Sequence, residues 1–131
     1  MKPNATLVVA SLLSILFVTL HLTSDAVRAR AGSPESGGST LIAVPILVLW
    51  LYGTLVLAER RSGHIFMLVG SLIALLMPVL HVVGPAGVFT AQLVRSNGDF
   101  LFVFTLHVLG VTGLFSLILA VRGLVMWKRG V

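Results

Sequence analysis

The four histidines are the residues of this sequence with the clearest capacity for chemistry, because the 131-residue chain contains no cysteine. The absence of cysteine excludes disulfides, thiolate metal sites and thiol nucleophiles. Imidazole nitrogens bind copper and zinc, serve as axial ligands to haem and exchange protons near neutral pH. Histidine chemistry is therefore the first hypothesis for this chain.

The spacing of His21 and Asp25 predicts that they act together. Asp25 stands four residues after His21, so both side chains project from one face if the first helix continues that far. The carboxylate then lies where it can orient the imidazole or share a metal ion with it. Continued toward the amino terminus, the same helical face carries Ser11, Ser14 and Val18, and we expect this partly polar face to point into the protein.

Two further histidines are predicted to lie at a similar depth on other helices. His81 falls near the outer end of the third apolar segment, at the end of a stripe formed by Gly70, Ala74 and Met77. His107 falls in the fourth segment, about 10 Å below its outer boundary at 1.5 Å per residue. We therefore predict a metal site formed by His21, Asp25, His81 and His107.

Three uses of such a group remain open at this stage. The residues could hold a copper or zinc ion, two of the imidazoles could ligate a haem, or the group could handle protons or cations. A histidine near the interface can also reach headgroups and water without any ligand. The sequence contains no His-x-x-x-His or Glu-x-x-His pair that would favour metal by spacing alone.

The elements that must position these residues follow from composition. Hydrophobic residues make up 57% of the chain and charged residues 10%, a balance typical of membrane proteins. Four apolar segments approach the roughly 20 residues that a helix needs to cross the hydrocarbon core; they are Ala5 to Ser24, Leu41 to Ala58, His64 to Val83 and Phe100 to Val121. The predicted fold is all-α, a single transmembrane domain over residues 1–131 with four helices running up, down, up and down.

The connections between the segments are short or rich in small residues. Residues 31–40 are rich in Gly, Ser and Pro and are typical of an exposed linker. Residues 59–63 predict a tight turn, so the second and third helices should be neighbours. In the third connection, residues 88–94 are compatible with a short interfacial helix.

The distribution of positive charge predicts orientation. Lys and Arg favour the cytoplasmic side of a membrane. Six of them lie at the two termini and in the second connection, against three in the other two connections; the six are Lys2, Arg60, Arg61, Arg122, Lys128 and Arg129. Both termini are therefore expected in the cytoplasm, which places the predicted site at the outer leaflet.

A resemblance supports this topology. The stretch from Leu20 to Asp25 and the stretch from Leu41 to Gly63 resemble small four-span bacterial proteins known only as hypothetical membrane proteins. The resemblance implies a bacterial inner-membrane location, and it implies no activity.

These observations together favour a non-enzymatic accessory or structural membrane subunit. Its expected partners are the bilayer and either further copies of itself or a larger membrane complex, and no nucleic acid is expected. The alternative is a histidine-based binder of metal or haem at the outer leaflet. An oligomeric small transporter or channel ranks third, because no segment carries an acid at mid-bilayer depth.

Overall fold

The computed structural model describes residues 5–30, 39–83 and 100–129 of the chain, and these residues form four α-helices and no β-strand. The helices are α1 (Ala5–Arg30), α2 (Ser39–Leu55), α3 (Arg61–Val83) and α4 (Phe100–Lys128). The prediction of an all-α bundle of four helices is confirmed. Residues 31–38 of the predicted linker and the predicted interfacial helix at residues 88–94 lie outside the described residues.

Each helix extends past its predicted apolar segment at one end, and α2 does so by beginning at Ser39 instead of Leu41. Helix α1 continues to Arg30, α3 already begins at Arg61, and α4 continues to Lys128. Helical hydrogen bonding does not stop where the apolar residues stop, and basic side chains in a last turn interact favourably with the helix dipole. Asp25 therefore lies inside α1, as its predicted pairing with His21 requires.

Helices α1, α3 and α4 are long and apolar enough to cross a membrane. Helix α2 is shorter, with its apolar part at Ile42–Leu55, and it ends three residues before the predicted boundary at Ala58. Its end is set by a turn in which the amides of Val56 and Leu57 both approach the Tyr52 carbonyl, at 2.9 and 3.4 Å. The Leu57 carbonyl then lies against Gly63 in α3, where any side chain would collide with it.

Each helix runs antiparallel to the next one along the chain, and α4 also packs against α1. Trp50 and Thr54, late in α2, contact Ser11, early in α1, and Gly123, late in α4, packs against His64, early in α3. One end of the bundle therefore holds the starts of α1 and α3 with the ends of α2 and α4. We call it the basic end, after exposed Arg60, Arg61, Arg122, Lys128 and Arg129, and the opposite end the histidine end.

Small residues hold α3 and α4 close together. Gly113 of α4 lies so near α3 that an added Cβ would stand 3.0 Å from both Ala74 Cβ and the Leu75 amide nitrogen. Transmembrane helices associate through such close van der Waals packing, because lipid offers no hydrophobic driving force between them. Outward-facing residues are apolar instead, as Ile42 (67% exposed) and Val111 (69%) illustrate.

Candidate metal centre

The centre of the histidine end is the side chain of His21, which is fully buried. The face of α1 predicted to point inward does so, since Ser11 and Ser14 are 0% exposed and Val18 is 3% exposed. A side chain on this face at the position of His21 must project between the other helices. The imidazole is therefore held away from lipid and among protein groups.

Asp25 and His81 meet His21 at this position. His21 Nε2 lies 3.5 Å from Asp25 Oδ2, one helical turn along α1. His81, in the last turns of α3, brings its ring centroid to 4.8 Å from that of His21 with the planes at 82°. One ligand atom from each of the three residues lies within 4.8 Å of the other two, so two helices converge on one small volume.

The hydrogen bond of His81 determines which of its nitrogens can ligate. His81 Nδ1 lies 2.9 Å from the Met77 carbonyl oxygen, which can only accept, so Nδ1 carries the proton and donates it. Nε2 then presents a lone pair. A ligating histidine whose other nitrogen donates to a backbone carbonyl is the usual arrangement in metal sites, because the bond fixes both tautomer and ring orientation.

Phe102 of α4 supports both imidazoles. Its ring is stacked on His21 at 5.0 Å and 27°, and it lies 5.6 Å from His81 at 64°. Phe102 is 1% exposed. Sequence reasoning missed this residue, although it lies in helical register with Leu109, Gly113 and Ala120 on the inward face of α4.

The structure does not bring His107 to this group. His107 is exposed on α4, and its Nδ1 lies 2.7 Å from the Val103 carbonyl within its own helix. At 100° per residue, His107 stands about 140° around the helix from Phe102. The inward face of α4 instead carries Thr105 and Ser116, both fully buried.

His64 lies at the basic end, at the opposite end of the bundle from His21 and His81. Its ring packs against Gly123 and lies 6.3 Å from the Trp127 ring. Its Nδ1 donates to the Arg60 carbonyl at 3.2 Å. These contacts make His64 a packing residue between α3 and α4.

The separations of the three ligand atoms suit a metal ion. Zn²⁺ holds nitrogen and oxygen ligands tetrahedrally at about 2.0–2.2 Å, which places any two of these ligand atoms about 3.4 Å apart. The 3.5 Å between His21 Nε2 and Asp25 Oδ2 already matches this value. The other two separations are at most 4.8 Å, within about 1.4 Å of this value.

Comparison with known proteins adds nothing to this geometry: no family model, no curated protein and no solved structure matches the chain. The protein is a helical, membrane-type bundle with three residues of metal-ligand chemistry at one end.

Proposed function

We propose that this protein is a non-enzymatic, multi-pass membrane protein that binds a copper or zinc ion at the histidine end of its bundle. The observation that carries the proposal is the convergence of His21, Asp25 and His81 from two helices, with ligand atoms within 4.8 Å of one another. With both termini in the cytoplasm of a bacterial inner membrane, the site faces the outer leaflet.

The donor set favours a transition metal. Two imidazole nitrogens and one carboxylate oxygen suit zinc or copper, whereas calcium and magnesium prefer sites made entirely of oxygen. Three protein ligands leave a fourth position for water or an external ligand. Asp25 and His81 are both partly exposed, and 23% of the Asp25 side chain is accessible, so the ion can enter and leave on the side of these two residues.

The same geometry favours an ion over haem. Two axial histidines must stand on opposite faces of the porphyrin plane. Here the two imidazoles are in edge contact with each other, and both contact Phe102. A macrocycle between them would have to displace these three rings.

A transport path through one bundle is less well supported. The buried hydroxyls of Ser14, Thr54 and Thr105 donate to carbonyls of their own helices, so their protons are engaged locally. The accessory-subunit role expected from the sequence is compatible with metal binding, and the convergence of His21, Asp25 and His81 places metal binding first.

The test is metal binding by the full chain purified in mild detergent, by elemental analysis and titration calorimetry with Zn²⁺ and Cu²⁺. We expect one ion per chain. His81→Ala should weaken binding by at least about 100-fold, since losing a residue that merely orients a ligand already costs about 10–100-fold. His107→Ala is the matched control and should bind like the unaltered chain.

A spectroscopic readout separates ligation from folding. In ¹⁵N NMR of labelled histidines, Zn²⁺ should shift the Nε2 resonance of His81 and leave its Nδ1 protonated. Full metal occupancy in both His21→Ala and His81→Ala would remove these residues from the site and overturn the proposal.

A further inference from the structure

The basic end contains a second feature, which is independent of the histidines. A groove of about 600 Å³ lies where the start of α1 meets the turn between α2 and α3. Val8, Leu55 and Val56 supply apolar walls, and Glu59 and Arg60 supply charged groups. Leu55 and Val56 are 57% and 61% exposed, so this apolar wall is accessible from outside the bundle.

Positive charge predominates over the basic end as a whole. Glu59 is the only acid in the described part of this end, where five Arg and Lys side chains are exposed. Contact between the His64 and Trp127 rings brings the start of α3 beside the end of α4, so the basic groups of both helices belong to one surface. Trp127 is partly exposed there, as expected of a tryptophan at the headgroup level.

We propose that this groove binds an anionic phospholipid. Its acyl chain lies along Val8, Leu55 and Val56, and its phosphate accepts hydrogen bonds from Arg60. The planar guanidinium pairs with phosphate through two parallel bonds. An apolar wall continuous with a charged rim matches the two parts of a lipid, whereas a free phosphate ion would use only the rim.

Net charge sets the preference among lipids. A zwitterionic headgroup gains little from a positive surface, whereas an anionic headgroup gains about fivefold in affinity per nearby Lys or Arg. Glu59 opposes this attraction because it stands next to Arg60 in the groove. Neutralising Arg60 and neutralising Glu59 should therefore change the affinity for anionic lipid in opposite directions.

The experiment measures retention of phosphatidylglycerol against phosphatidylcholine by the full chain, using native mass spectrometry from mixed-lipid nanodiscs. We expect preferential retention of phosphatidylglycerol, about fivefold weaker in Arg60→Gln and stronger in Glu59→Gln. Arg122→Gln is the matched control, because it removes the same charge from the basic end outside the groove. It should change retention less than Arg60→Gln does.

Three results would overturn the proposal. Equal retention of the two lipids would show that the protein does not prefer the anionic lipid. Equal effects of Arg60→Gln and Arg122→Gln would show that the positive surface as a whole attracts the lipid and that the groove does not. Displacement of the lipid by millimolar inorganic phosphate would identify a free-anion site. None of these variants touches His21, about 20 Å along α1 from Val8 at 1.5 Å per residue, so Zn²⁺ binding should be the same in all of them.

Discussion

The buried polar side chains of Ser11, Trp50 and Thr54 form one closed hydrogen-bonded group between α1 and α2. The Trp50 indole N–H donates to Ser11 Oγ at 2.9 Å, and Ser11 Oγ lies 2.8 Å from Thr54 Oγ1. Because the Thr54 hydroxyl donates to the Trp50 carbonyl at 2.9 Å, Ser11 must donate to Thr54. Each hydroxyl proton and the indole proton then has an acceptor, which matters because lipid offers none.

We predict that Ser11→Ala destabilises the bundle by about 1 kcal/mol, because it leaves the buried Trp50 N–H without its acceptor and interhelical bonds in membranes carry about that much. The measurement is reversible unfolding in mixed detergent micelles. Thr23→Ala is the control, since the exposed Thr23 hydroxyl bonds only to the Thr19 carbonyl of its own helix. Equal stability of the two variants would show that the network contributes nothing.

At the scale of the helices, glycines determine how closely neighbours approach. Gly70 of α3 accommodates the Trp50 indole of α2, and an added Cβ would overlap that ring. Gly110 of α4 faces the Pro78 ring, which an added Cβ would meet at 3.1 Å. The α2–α3 contact is therefore the less tolerant of the two.

We expect Gly70→Ala to destabilise the protein by about 1–3 kcal/mol, the usual cost of overpacking a filled core. Gly110→Ala should cost less, because a small shift of the proline ring relieves the contact and alanine favours the helix by up to about 1 kcal/mol. Unfolding midpoints of the two variants provide the measurement. A larger loss in Gly110→Ala than in Gly70→Ala would contradict this account of the packing.

In the whole molecule, the proposed ion would connect α1 and α3, which are not neighbours in the order of the helices around the bundle. Helices α1 and α3 stand diagonally in the bundle, each packed mainly against α2 and α4. An ion held by His21 and Asp25 on one side and His81 on the other would tie the histidine end of this diagonal. Metal binding and stability of the fold are then linked.

We predict that Zn²⁺ at 100 times its dissociation constant raises the free energy of unfolding by about 2.7 kcal/mol, as expected for a ligand that binds only the folded state. Thermal unfolding with and without Zn²⁺ measures the effect. It should disappear in His81→Ala and persist in His107→Ala. An equal Zn²⁺ effect in His81→Ala would place the stabilising ion elsewhere.

The sequence by itself determined the class and the element order of this protein. Long apolar segments require helices in a bilayer, because every backbone polar group must be bonded within its own segment. The spacing of His21 and Asp25 determined their pairing, since residues four apart share a helix face. Both inferences are local, and both agree with the structure.

Only the tertiary structure decided which histidines meet. That outcome depends on the rotation of each helix about its axis, which is set by the packing of small residues such as Gly113 against α3. This packing turns Phe102 toward the imidazoles and His107 away from them, because residues five apart face different sides of a helix. The depth of a residue in a membrane can be estimated from the sequence, whereas its direction is decided by the neighbours against which its helix packs.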